Sequence, residues 1–119
     1  MSVVDIDELD VLVRARALVE QGWCQNADRK TSARGFGDKH VCYCMGGAIK
    51  ETISGHTIAT TPQERHDCFI RIADVVFPGR ASPATVTDFN DGHAKEDVLA
   101  KLDGAIARVR AARAMGDGG

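Results

Sequence analysis

A single apolar stripe near the C-terminus forces a helix on this chain. Between Ala94 and Ala114, the residues Val98, Leu102, Ala105, Ile106, Val109 and Ala112 recur at steps of three or four. Only an α-helix brings residues at that spacing to one side; a strand would scatter them over both faces. A helix with one apolar side is not stable alone in water, so the remaining chain must cover it. His93 is expected at the cap position ahead of this helix, with Glu96 as capping-box partner and Asp97 beside the positive dipole end. Met115 to Gly119 reads as a frayed tail.

The cover is predicted to be helical as well. Residues 5 to 21 place Ile6, Leu9, Leu12, Val13 and Ala17 at helical spacing, with Val11 and Leu18 on a second side. Gly22 offers a left-handed exit, and Trp23, the only tryptophan, reads as a core anchor. Residues 44 to 54 predict a second helix with Met45, Ala48, Ile49 and Ile53 on one face and Gly55 as its stop. Each member of the Gly46-Gly47 pair costs about 1 kcal/mol against alanine inside a helix. The pair therefore implies close approach of another backbone or a ligand. Thr61-Pro62-Gln63-Glu64 opens a third helix: Thr61 caps, Pro62 suits the first position and Glu64 completes a capping box. Phe69, Ile72, Ala73, Val76 and Phe77 form its stripe, and Pro78-Gly79 ends it.

Thr85 to Phe89 predicts a short extended piece or a single turn, and Asn90-Asp91-Gly92-His93 predicts a turn. Residues 24 to 42 have no stable period. The glycines around Phe36 predict a long mobile loop there, with room for a short hairpin near Val41 to Tyr43. The sum is a mainly α fold of about four helices packed around one core.

The 119 residues make one domain, 1–119, with an ordered core over about 5–114. A domain of this size buries about two-thirds of its unfolded surface and needs no disulfide to fold. No apolar run nears the roughly 18 residues of a membrane span, so no membrane partner is expected. The segment Met1 to Glu8 is acidic where a secretory signal is basic and then apolar, which points to a cytoplasmic location. In that compartment Cys24, Cys42, Cys44 and Cys68 are expected as thiols.

Fifteen basic against seventeen acidic residues leave a net charge of −2, which argues against a nucleic-acid partner. The loop cations Arg29, Lys30, Arg34 and Lys39, with His40 and the aromatics Phe36 and Tyr43, read as a solvated loop offset by Asp28 and Asp38. Asp5, Asp7, Glu8 and Asp10 at one end, and Arg108, Arg110 and Arg113 at the other, read as complements to helix dipoles.

Cys44 is the position with the clearest chemical potential. At a helix start its sulfur would lie beside unpaired backbone N–H groups, a setting that favours the thiolate. Gly46 and Gly47 would leave room for a substrate, and nearby amides could form an oxyanion hole. A base would come from His40, His56, His66 or His93, with Asn90 or Asp91 as orienter. The plainer account is that Cys44 simply packs, as cysteine often does. His40, Cys42 and Cys44 at alternate positions, with Cys24 upstream, supply enough N and S ligands for tetrahedral zinc, but lack the usual paired spacing. No metal and no cofactor is the expectation. Gly35-Phe36-Gly37 and Met45-Gly46-Gly47 match no phosphate-binding or dinucleotide fingerprint.

A further pattern spans the chain in order: Ala17-Leu18, Gly22-Trp23-Cys24-Gln25, Cys44-Met45-Gly46-Gly47-Ala48-Ile49, Phe89-Asn90-Asp91, then Asp97-Val98-Leu99, Leu102 and Ala105-Ile106. The set resembles a family of short bacterial and phage proteins known only as a domain of unknown function. That family usually has Trp where this chain has Phe89, and a longer Thr-bearing stretch where it has Gly92-His93, so His93 is no family-wide base. The resemblance implies no activity. It draws Gln25, Cys44, Asn90 and Asp91 into one candidate cluster, for which turn-building by Asn90 and Asp91 is the plainer account.

The expected function is an accessory domain that binds a protein or small molecule near the Cys44–Gly47 helix start, with Gln25, Gly46 and Gly47 as binding residues. The alternative is a cysteine hydrolase or transferase with Cys44 as nucleophile, assisted by Asn90 and Asp91. A zinc-stabilised domain is the third reading. Sequence does not set the oligomeric state.

Overall fold

Local capping chemistry starts each of the helices, and long-range packing decides which faces they bury. A computed structural model describes residues 7–25, 29–34, 38–55 and 61–117, with the backbone alone at 29–34, 38–41 and 116–117. Asp5, Ile6, Asp28, Gly35 to Gly37 and His56, all named above, lie outside the described residues. The order of elements is α1 (Glu8–Gln21), β1 (Arg29–Arg34), β2 (Asp38–Tyr43), α2 (Met45–Ser54), α3 (Pro62–Val76), α4 (Pro83–Gly92) and α5 (Lys95–Asp117).

Asp7 starts α1 by accepting from the N–H groups of Leu9 at 3.0 Å and Asp10 at 3.3 Å. The buried face is Val11, Leu12, Ala15 and Val19. That face is rotated about the helix axis, by roughly a third of a turn, from the stripe expected from Leu9, Leu12, Val13 and Ala17, with Leu12 common to both. Val13 is 40% exposed, because α2 and α5 pack against the other side. Gly22 leaves the helix in an extended conformation, not a left-handed one. It does so because its carbonyl accepts from Tyr43 N–H at 2.8 Å, joining the chain after α1 to the end of β2.

Where a long loop with room for a short hairpin was expected, the described residues form a pair of strands. β1 and β2 pair antiparallel over two six-residue strands, from Arg29 opposite Tyr43 to Arg34 opposite Asp38. The pairing extends well beyond Val41 to Tyr43. Backbone hydrogen bonding accounts for this, since it requires no apolar period in the side chains.

α3 begins as expected. Glu64 N–H donates to Thr61 Oγ1 at 3.1 Å, and Thr61 N–H donates to Glu64 Oε1 at 2.9 Å. After its end, Gly79 takes a φ of 77°, a left-handed turn that suits glycine. The described residues form five helices, where about four were expected. The expected extended piece at Thr85 to Phe89 lies inside α4, and so do Asn90, Asp91 and Gly92, expected as a turn. Ser82 caps α4 by accepting from Thr85 N–H at 3.1 Å, with Pro83 at the first position. This Ser-Pro start repeats the Thr61-Pro62 signal and was legible.

His93 ends α4 and does not begin α5. The reach-back at the start of α5 comes from Asp97, whose Oδ2 accepts from Ala94 N–H at 3.3 Å, so Glu96 is not the partner. Along α5, Val98, Leu102, Ala105, Ile106 and Val109 are buried as expected, while Ala112 is exposed. Residues 115–117 continue the helix that was expected to fray there. One core unites these faces: Leu12 and Val19 of α1, Met45 and Ile49 of α2, Phe69 and Ile72 of α3, Val86 of α4 and Leu102 of α5.

Candidate functional site

The residues gathered from sequence meet at the junction of α1, α2 and α4, and Asn90 is their centre. Helical spacing puts Asn90 four residues after Val86, on the buried face of α4. Its side chain is fully buried and uses every hydrogen-bonding position it has. Oδ1 accepts from Trp23 Nε1–H at 2.8 Å and from Met45 N–H at 2.9 Å. Nδ2 donates to Cys24 carbonyl at 3.0 Å and to Asp91 Oδ1 at 3.2 Å. Trp23 and Met45 present only donors and the Cys24 carbonyl only an acceptor, so the amide has one orientation that fits. Four hydrogen bonds offset the cost of taking the amide out of water, and they fix three segments against one another.

Gln25 extends the same clasp. Its Nε2 donates to the carbonyls of His93 at 3.0 Å, Asp91 at 3.2 Å and Asn90 at 3.4 Å. Those are carbonyls that α4 leaves without an intrahelical partner. The side chain thus caps α4 from 65 or more residues away.

Cys44 is the N-cap of α2, as sequence placed it at that helix start. Gly47 N–H donates to its Sγ at 3.2 Å. The residue is only 2% exposed, and Gly46 and Gly47 are buried beside it. What approaches the first turn at Gly46 is the side chain of Val86: a Cβ built on Gly46 would lie 3.5 Å from Val86 Cγ1, ordinary contact. α2 and α4 therefore pack side chain to backbone here, where sequence suggested a backbone or a ligand.

Of the candidate bases, His40's side chain and all of His56 lie outside the described residues. His66 is exposed on α3. His93 is exposed, stacks on Phe89 with centroids 4.0 Å apart, and places Nδ1 2.8 Å from Phe89 carbonyl. A carbonyl only accepts, so Nδ1 carries the proton and donates.

Among the described residues, no group of three or more His, Cys, Asp or Glu is placed to hold a metal. None of the four cysteines is in a disulfide. Cys24, Cys44 and Cys68 are buried and Cys42 is half-buried. Burial pushes the Cys68 thiol up from its ordinary value, against a smaller opposing pull from the Arg71 charge. Among the described residues, no helix is long and apolar enough to cross a membrane.

Three partners of Asn90 escaped the sequence reading: the indole N–H of Trp23, the backbone N–H of Met45 and the Cys24 carbonyl. Composition offers no signal for any of them. A lone Trp beside a Gln, with an Asn elsewhere in the chain, becomes a pair only once α4 is recognised as a helix.

Residues 4–108 match a family of unknown function, DUF6197, and the chain belongs to that family. The whole stretch from Ala17 to Ile106, which carries the resemblance noted above, lies within the matched residues. No curated protein and no solved structure matches it.

Proposed function

We propose that this chain is a small binding domain, not an enzyme, and that its ligand or partner is taken up on α2, the helix that begins at Cys44. One observation carries the reading: the Asn90 amide gives all four of its hydrogen bonds to Trp23, Met45, Cys24 and Asp91. An amide so engaged has nothing left for a substrate or a catalytic imidazole. Gln25 is engaged with α4 in the same way. Asn90 and Gln25 are then framework, and Cys44 caps a helix. A cytoplasmic location belongs to this proposal and is supported by four cysteines outside any disulfide.

The competing reading makes Cys44 the nucleophile of a hydrolase or transferase, with Asn90 and Asp91 assisting. It draws support from the Gly47 N–H on the sulfur. The 2% exposure of Cys44 weighs against it. Alkylation followed by mass spectrometry separates the two. Under the binding reading, Cys42 modifies first and Cys44 reacts more slowly than the same thiol in unfolded protein. A Cys44 that modifies faster than unfolded cysteine at neutral pH would overturn it.

A further inference from the structure

Two of the four cysteines stand side by side in one backbone register. Gly22 carbonyl accepts from Tyr43 N–H at 2.8 Å and Cys24 N–H donates to Tyr43 carbonyl at 3.2 Å, the pattern of a parallel bridge between Trp23 and Tyr43. The next pair in that register is Cys24 with Cys44, and Cys44 is still extended, with φ −76° and ψ 173°. Side chains alternate along extended chains, so both thiols leave on the same side, opposite to Trp23 and Tyr43. Burial agrees. Tyr43 belongs to the apolar core and Trp23 packs against it, whereas Cys24 and Cys44, only 8% and 2% exposed, are no part of that core. The Asn90 amide sets their spacing. In an unbroken parallel ladder Met45 N–H would donate directly to Cys24 carbonyl; here the amide stands between them, 2.9 Å from one and 3.0 Å from the other. An inserted amide holds the chains further apart than a direct bond does. That widens the usual strand spacing of about 4.8 Å toward the Cα separation of about 5.5–6 Å that most disulfides span. The other two cysteines are placed differently: Cys42 falls opposite Gly22 in the register and is half-buried, and Cys68 is on α3.

We infer that Cys24 and Cys44 form a reversible disulfide, with a small disulfide such as oxidised glutathione as the oxidant. One protein thiolate attacks the oxidant, joins it as a mixed disulfide and releases one glutathione. The second attacks the protein sulfur of that mixed disulfide, closes the Cys24–Cys44 bond and releases the other glutathione. Two electrons pass from the protein to the oxidant, and the two protons lost by the cysteines end on the two glutathione thiols. The bond closes the chain from Cys24 to Cys44, strands β1 and β2 included, and ties it to the junction that Asn90 clasps. In a reducing compartment the thiols dominate, and the bond forms when the glutathione pool becomes oxidised. The start of α2 is then a redox-sensitive element, whatever that helix binds.

The test uses the full chain and its Cys42→Ser variant, which removes the half-buried competitor. Each is poised in buffers of reduced and oxidised glutathione, both folded and in concentrated urea. Equilibrium is approached from the oxidised and the reduced side until the two agree, so slow exchange at buried thiols does not decide the result. Remaining thiols are then alkylated, and linked peptides are identified by mass spectrometry. Both proteins should form the Cys24–Cys44 bond within one chain. Its equilibrium constant against glutathione should be at least about tenfold higher in the folded chain than in urea, a shift of about 30 mV. A smaller factor in both proteins would overturn the inference. So would a bond that Cys42 makes in place of either thiol in the full chain.

Discussion

At the scale of single residues, the junction is held by groups that would be costly to leave without partners. Asn90→Ala strands the buried Met45 N–H and Cys24 carbonyl, and each such loss costs about 1–3 kcal/mol. We expect about 2–4 kcal/mol of destabilisation in urea unfolding. A change under about 1 kcal/mol would show that water or a neighbour replaces the amide. Cys44 allows a finer comparison. Cys44→Ala removes the acceptor for Gly47 N–H and should cost about 1 kcal/mol, as other N-cap deletions do. Cys44→Ser keeps an acceptor in the same place and should lie close to the parent protein. If Ser proves as damaging as Ala, the sulfur matters for its bulk and not for the cap.

At the scale of elements, the helices share a device that no helix supplies for itself. None of α1, α3 and α4 has a basic residue in its last turn. Their terminal carbonyls are covered from elsewhere. Lys95 Nζ donates to Glu20 carbonyl at 2.8 Å at the end of α1, and Arg108 reaches the carbonyls of Val75 and Val76 at the end of α3. Gln25 does the same for α4. Gln25→Ala should therefore loosen α4 selectively, by about 1 kcal/mol, and raise amide exchange in the turn joining α4 to α5 before it affects α3. Uniform protection loss across all helices would contradict a local cap.

The acidic and basic ends, read from sequence as separate dipole complements, meet each other. Arg113 Nη2 lies 2.7 Å from Asp7 Oδ1, and the hydrogen bond from Arg113 is the largest influence holding the Asp7 carboxyl below the usual carboxylate range. Stability linked to a lowered carboxyl is present above the unfolded pKa and is lost as pH falls through the folded value. Both side chains are about half exposed, so the effect is small. Arg113→Gln should raise the Asp7 pKa in an NMR titration and shrink the acid-side loss of stability. An unmoved Asp7 would mean that the contact is not populated in solution.

At the scale of the whole molecule, the described helices share one apolar core. α1 packs on α2, α3 and α5, so truncation of its fully buried Leu12 to Ala should cost about 2–5 kcal/mol and lower cooperativity everywhere. A chelator should leave the thermal transition of the wild-type protein where it is. A fall in melting temperature on adding chelator would revive zinc, with ligands beyond the described residues.

Local rules were legible in the residues alone. The stripe of α5, the Thr61–Glu64 capping box and the Cys44 start of α2 each depend on neighbours within one or two turns, and each is present. So, in principle, was the Ser82-Pro83 start of α4, and overlooking it concealed the helix that carries Asn90. Tertiary structure alone decided the rest. Trp23 and Asn90 are 67 positions apart, and Met45 and Asn90 are 45 apart. Helical period and capping act over about four residues and cannot see such pairs. α1 offers apolar residues on two sides, and the packing of α2 and α5 chose Val11, Leu12, Ala15 and Val19 over Val13 and Ala17. Spacing along a chain states which faces an element has to bury; only the path of the chain in space states what each face, and each terminal carbonyl, will meet.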